Sequence, residues 1–323
     1  MHGFHTVYID VHIDRTSSSP HFSARRPTSD AYDVSTVGRF SKWRAAIAPL
    51  LFLTPALVAL IVFRLLPAGW LVQQSLSGPD GEFAGLDNFE FLFTAPSFAK
   101  TLHATLTFVA VTVPLQTVTS FGLALLFAEN SRIISLLRTL VFLPVLIPSS
   151  VAAILWGAAY RPQGLANALL TSVGVSAQPF LTSPDQALMS IIVMSSWVGV
   201  GFWMIFLIGG LKDIPRDLYE AASIDGAGKL SSLWHITIPL MRRPLAFVIV
   251  ADTVSAFLLF GPIAILTRGG PGGSTQLIMY DVYQQAYFFN DVPLAAAEGL
   301  TLMVIMMVII LIQFRLLSRE KQL

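Results

Sequence analysis

The chain has 323 residues, of which 54% are hydrophobic and only 12% charged, and its mean hydropathy is +0.68. Soluble domains carry about twice that charged fraction, so a bilayer is the expected solvent. A net charge of +1 argues against nucleic-acid binding, and the absence of cysteine excludes disulfide frameworks, thiolate metal sites and cysteine nucleophiles.

Residues 1–44 are rich in Ser, His, Asp and Arg and lack the apolar core of a signal peptide, so they read as a disordered cytosolic tail. His2, His5 and His12 lie in this tail, where nothing would orient them as metal ligands. The rest of the chain, 45–323, reads as one all-α membrane domain. Six segments are apolar enough to cross a bilayer as helices, near 45–66, 101–128, 134–160, 186–211, 244–266 and 295–317. The fourth contains no charged residue. The second and third are joined by the short polar turn Glu129 to Arg132 and should form a helical hairpin. Pro114, Pro144 and Pro148 predict kinks, which membrane helices tolerate where neighbours satisfy the freed carbonyls.

Charge placement sets the orientation. All but Arg64, Lys100, Arg161 and Arg268 of the 20 Lys and Arg residues fall in the tail, the 129–138 turn, the 212–243 loop or the C-terminal end. The positive-inside rule then puts both termini and these connections in the cytosol.

The 212–243 loop carries EAASIDGAGKLSSLWHITIP, residues 220 to 239, and its GAGK invites a phosphate-loop reading. That reading fails. The required first glycine falls on Ser223, Leu230 stands where a magnesium-binding hydroxyl belongs, and the preceding LKDIPRDLYEAA has a helix pattern, not a strand pattern. The pattern predicts a short amphipathic helix capped by Asp213, with Pro215 early in it and Gly226 as its left-handed terminator, then a second short helix stopped by Pro239. Leu218, Ala221, Ala222 and Ile224 give the first helix small apolar contacts. Asp217, Glu220 and Asp225 place acids near the membrane surface, which suits a protein partner better than a lipid one. His235 reads as a surface residue.

Glu220, Ala221, Ala222, Gly226, Ile236, Ile238 and Pro239 together resemble the signature of inner-membrane permease subunits of binding-protein-dependent ABC importers, with Ile238 standing where leucine is usual. Asp225 completes the common IDGA form. GLDNFEFLF (85–93), FLPVLIPSSVAAILWGAAYRPQGLAN (142–167) and LTRGGPGGSTQLIMYDVYQQAYFFNDVPLAAA (266–297) resemble, in order, further segments of the carbohydrate branch, the maltose- and glycerol-phosphate-type permeases. The resemblance implies a multi-pass protein of a bacterial or archaeal cytoplasmic membrane that forms half of a translocation path. Its implied partners are a second homologous permease subunit, two copies of an ATP-binding subunit, an extracytoplasmic substrate-binding protein and membrane lipid. It also implies no cofactor on this chain, with ATP and Mg held by the partner ATPase. Glu220, Ala221, Ala222, Asp225, Gly226, Ile236 and Pro239 would couple to that ATPase, and Gly269, Gly270 and Pro271, which alone read equally as a flexible turn, would face the binding protein.

Asp252, about 12 Å into the fifth span at 1.5 Å per residue, is a candidate for the solute path, because acids within a membrane usually face a cavity or partner. The alternative is a structural hydrogen bond to a neighbouring helix. Trp197, Trp203, Phe257 and Phe260 could stack on a sugar face, though aromatics at helical spacing more often pack. The fifth span lacks the Asp that often follows Phe in sugar permeases, which weakens any transfer of solute contacts. Glu298 is expected to be an interfacial acid reached by water. Among other functions, a self-contained channel or secondary transporter would show paired Asn-Pro-Ala loops or intramembrane charges in both halves, and an intramembrane enzyme would pair a Gly-x-Ser-Gly with a membrane histidine or carry an intramembrane metal cluster. Neither pattern is present.

Overall fold

The computed structural model describes residues 52–129 and 131–317. The expected tail, its three histidines and the start of the first expected span (45–51) lie outside the described residues. The chain divides into two units, residues 1–60 and 61–323; the described part of the first is helical and exposed. Among the described residues the only extended pairing is an isolated bridge between Ser77 and Phe83.

Among the described residues five helical segments are long and apolar enough to span a bilayer: Phe52–Ser75, Pro96–Phe127, Pro184–Lys212, Arg242–Leu266, which is interrupted at 258–260, and Val292–Leu317. The first runs past the expected end at 66. Pro67 does not stop it, because a π-helical turn, Ile61–Leu65, lies immediately upstream. Proline has no N–H and its ring crowds the carbonyl four residues back, and the wider π turn relieves that conflict. Pro114 is likewise carried inside an unbroken helix.

The third expected span, 134–160, is not one helix. It is a pair, Arg132–Leu146 and Ser149–Ala159, bent by 100° at the break. Pro144 tightens the first member into a 3₁₀ turn, Leu143–Leu146. Ile147, which precedes Pro148, is extended (ψ 125°), as the clash with the following ring requires. The expected hairpin turn is pinned at both ends. Ser131 Oγ caps the backbone N–H of Ile134 at 3.2 Å, and Arg138 donates to the carbonyls of Phe127 and Glu129 at 2.5 and 3.3 Å.

The second and fourth spans pack most extensively, and Ser120 Oγ donates to the Val200 carbonyl at 3.1 Å across them. The fourth span also meets the bent third segment at Gly201, where a Cβ would collide with the Val141 carbonyl. The sixth span packs on the fifth, with Gln313 Nε2 donating to Thr253 Oγ1 at 2.8 Å, and on helix Ile278–Tyr287. Two apolar clusters result. One is built around Phe108, Ile191, Phe257, Ile263 and Ile278, the other around Ala124, Trp203, Met204, Leu207, Met241 and Val248. Large apolar side chains elsewhere, such as Phe63, Val118 and Leu311, are exposed, as lipid-facing residues are.

Candidate functional site

The 212–243 loop folds as helix Arg216–Ile224, a turn, and a second helical stretch from Lys229 to Leu240. Gly226 has φ +80°, its N–H bonds the Ser223 carbonyl at 3.1 Å, and the Ala227 N–H bonds the Ala222 carbonyl at 2.8 Å. These two bonds form the Schellman closure expected of a left-handed glycine terminator. Two expectations need correction. Asp213 does not cap this helix; it ends the fourth span, and Pro215 occupies the cap position with no side-chain bond. Pro239 does not stop the second helix, because a π turn, Leu233–Thr237, precedes it and helical backbone continues through Leu240. The same device thus carries Pro67 and Pro239.

Glu220, Ala221, Asp225 and Gly226 are exposed and Ala222 is half-buried, while Ile236 and Pro239 are half-buried on the inner side. Apolar Ile224, Leu230 and Trp234 are exposed too, at 85%, 68% and 62%. Tyr219 holds the two halves of the loop together, with its hydroxyl 2.9 Å from Thr237 Oγ1. Tyr219 and Ile236 pack against the cluster that contains Ile214, Met241 and Trp203. Tyr219, Thr237 and Met241 were not singled out in the sequence. Tyr219 next to the acidic face was the available signal, an aromatic on the buried side of a nine-residue helix.

A cavity of about 290 Å³ lies between the second, fourth and fifth spans and the bent third segment. Asp252 and Trp203, both expected on a solute path, line it together. Trp203 Nε1 donates to Asp252 Oδ1 at 3.0 Å, and Asp252 is only 3% exposed. Its other oxygen, Oδ2, has no partner among the described residues, nor do the hydroxyls of Thr112 and Ser195 in the same wall. Gln116 adds an amide, packed so tightly under Gly199 that a Cβ there would strike it. Phe108, Phe202 and Leu259 supply the apolar wall.

The remaining aromatic candidates lie elsewhere. Trp197 meets Trp156 edge-on at 5.7 Å, Phe257 is wholly buried in its cluster, and Phe260 packs on Tyr283 at 4.8 Å. Thr112, Gln116 and Ser195 were missed. Thr101, Thr105, Thr112 and Gln116 recur at helical spacing, a buried polar stripe down one face of an apolar helix, and that stripe was readable.

The glycine-rich loop after the fifth span is ordered by Thr275, whose Oγ1 donates to the Gly270 carbonyl at 2.7 Å and lies 2.8 Å from Thr267 Oγ1. Of the three residues expected to face a binding protein, Gly269 is buried and Gly270 and Pro271 are half-buried; Gly272 is the exposed one. Beside the loop, burial holds the Tyr280 phenol above its usual range, with Arg268 acting the other way. Glu298 is not an interfacial acid. It is 1% exposed, beneath helix Ile278–Tyr287, which the small residues Ala295 to Ala297 allow to approach closely.

Residues 118–321 match the family described as binding-protein-dependent transport system inner membrane component. The sn-glycerol-3-phosphate transport system permease protein UgpA of Agrobacterium fabrum is 31% identical over 285 residues, covering 85% of this chain and 96% of that one. The trehalose/maltose transport system permease protein MalF of Thermococcus litoralis is 34% identical over 243 residues, covering 73% and 82%. Among solved structures, a chain of a bacterial ABC transporter involved in the import of the acidic polysaccharide alginate shares the fold, with a TM-score of 0.77 at 23% identity over 88% of this chain and 99% of that one.

Proposed function

The chain belongs to the family of binding-protein-dependent transport system inner membrane components, a multi-pass protein of the cytoplasmic membrane, and from that premise we propose that it forms half of the translocation path of an ATP-driven importer for a sugar or a related polyol or glycerol-phosphate solute. A separate ATPase docks on the 212–243 loop, and a substrate-binding protein delivers the solute from the opposite side. ATP and magnesium belong to that partner; this chain carries no nucleotide loop of its own.

The single observation that carries the reading is the build of the loop. Its outer face presents Glu220, Asp225, Ile224 and Trp234, a mixed acidic and apolar surface suited to a protein groove. Its inner face is fixed by Tyr219 and Ile236 to the cluster that includes Trp203, whose indole bonds Asp252 in the cavity wall. A push on the outer face therefore meets a stiff, packed route to the space between the spans. A flexible loop would absorb the same push.

Glu220→Lys reverses the exposed charge, and Gly226→Pro forbids the left-handed φ of +80°. Each variant is expected to insert normally yet to lose co-purification of the ATPase or solute-stimulated hydrolysis. Full coupling in both would sink the assignment of this loop.

A further inference from the structure

The cavity between the second, fourth and fifth spans has a chemistry that the importer reading leaves open. Among its lining residues there is one carboxylate, Asp252, and no Lys, Arg or His. The other polar groups are the hydroxyls of Thr112, Ser149, Ser195 and Ser255 and the amide of Gln116. Asp252 Oδ2 and the Thr112 and Ser195 hydroxyls are buried and have no partner among the described residues, so a bound molecule that satisfies all three must offer a hydrogen-bond donor to Asp252 and a donor or acceptor to each hydroxyl, at close spacing. A hydroxyl-bearing carbon chain or ring does so, since each hydroxyl both donates and accepts, while its C–H face lies against Phe108, Phe202 and Leu259. A phosphate or carboxylate offers only acceptors. It would face Asp252 with no cation to offset either charge, in a site where burial strengthens the repulsion.

We infer that this cavity admits an uncharged polyhydroxy solute and rejects an anionic one, with Asp252 as the residue that discriminates. The inference rests on the importer reading and narrows it, setting neutral sugars and polyols apart from phosphorylated ones. At about 290 Å³ the space falls at the small end of ligand sites, enough for one ring-sized unit.

The test uses the full chain with the subunits that co-purify with it, in lipid nanodiscs for binding and in liposomes for uptake. The probes are glucose and glucose 6-phosphate, a pair that differs only in the phosphate, together with sn-glycerol 3-phosphate. Saturation-transfer NMR is expected to show glucose bound to the wild type and neither phosphate ester bound. Asp252→Asn should weaken glucose about tenfold, the loss expected for one hydrogen bond to a charged group. Because that variant could simply fold poorly, Ser255→Lys supplies an independent check. It places a cation on the exposed face of the fifth span at the cavity rim and should admit glucose 6-phosphate while leaving assembly intact.

Equal binding of glucose and glucose 6-phosphate by the wild type would overturn the inference. So would an Asp252→Asn variant that folds and binds glucose unchanged. ATP-driven uptake of sn-glycerol 3-phosphate through the wild type would also overturn it, while leaving the importer reading standing. Selective glucose binding without any ATP-driven uptake would support the cavity chemistry and overturn the importer reading.

Discussion

The indole nitrogen of Trp203 lies 3.0 Å from Oδ1 of Asp252, tying the fourth span to the fifth at the cavity wall. Trp203 is the only donor that the carboxylate has within the described residues. Trp203→Phe keeps most of the ring but leaves both oxygens unpartnered, a cost of about 1–3 kcal/mol. Thermal unfolding of the purified complex should show that loss. Adding Asp252→Asn should recover part of it, since the neutral amide costs less to leave unpaired. Additive losses in the double variant would show that the bond contributes nothing.

Tyr219 and Thr237 meet at 2.9 Å, joining the first helix of the loop to the π turn of the second. Tyr219→Phe removes the hydroxyl but keeps the ring packed on Ile214, Ile236 and Met241. Stability should fall only by about 0.5–1.5 kcal/mol, the usual net value of one hydrogen bond. The ATPase should still co-purify, because the exposed face is untouched. Solute-stimulated hydrolysis should fall, since the two halves of the loop can then move apart. Unchanged stimulation would mean that the loop needs no internal brace.

Much of this architecture is legible in the sequence because lipid imposes a simple rule: a spanning segment must be apolar and helical. Hence five of the expected spans emerge as long helical segments, the fifth interrupted at 258–260, and Gly226 takes the left-handed turn its context required. Proline was the weak point. Pro67, Pro114 and Pro239 sit in helices that continue, Pro67 and Pro239 behind a π turn, while the helix breaks at Ile147, just ahead of Pro148. That turn depends on packing, which no local pattern records. The cavity was half legible for a related reason. An acid in an apolar helix announces itself, as Asp252 did, but a threonine or serine in a membrane helix usually bonds its own backbone. Only the assembled helices show that Thr112 and Ser195 do not.

Two glycines on one turn of the fourth span should respond differently to the same methyl group. At Gly201 a Cβ would strike the backbone carbonyl of Val141 and lie 3.1 Å from the Phe142 Cα, neither of which can move without shifting a helix. Gly201→Ala should cost about 1–3 kcal/mol, the range for overpacking, visible as a lower unfolding temperature. At Gly199 the obstacle is the end of the Gln116 side chain, which can swing aside. Gly199→Ala should leave stability close to wild type and alter uptake instead, because displacing Gln116 changes the wall of the cavity it lines. Matching losses of stability in both variants would remove Gln116 from the list of movable cavity groups.

Glu298 is a fully buried carboxyl in the sixth span, and its charged neighbour is another acid, Asp281 of helix Ile278–Tyr287. Such a group is expensive to hold as a carboxylate in a membrane protein, and a neighbouring acid adds to that cost. The conservative change therefore has a definite expected sign. Glu298→Gln keeps the shape and removes the possibility of charge, so the unfolding temperature should hold or rise. Glu298→Lys buries a charge of the other sign in the same space, beside the small residues Ala295 to Ala297 that bring helix Ile278–Tyr287 close. It should lose about 3 kcal/mol or more, a severe defect in assembly measured as loss of protein recovered from the membrane. A marked fall in stability with Glu298→Gln would mean that the carboxylate has a charged role here, because the amide fills the same volume and differs only in what it can donate and in charge.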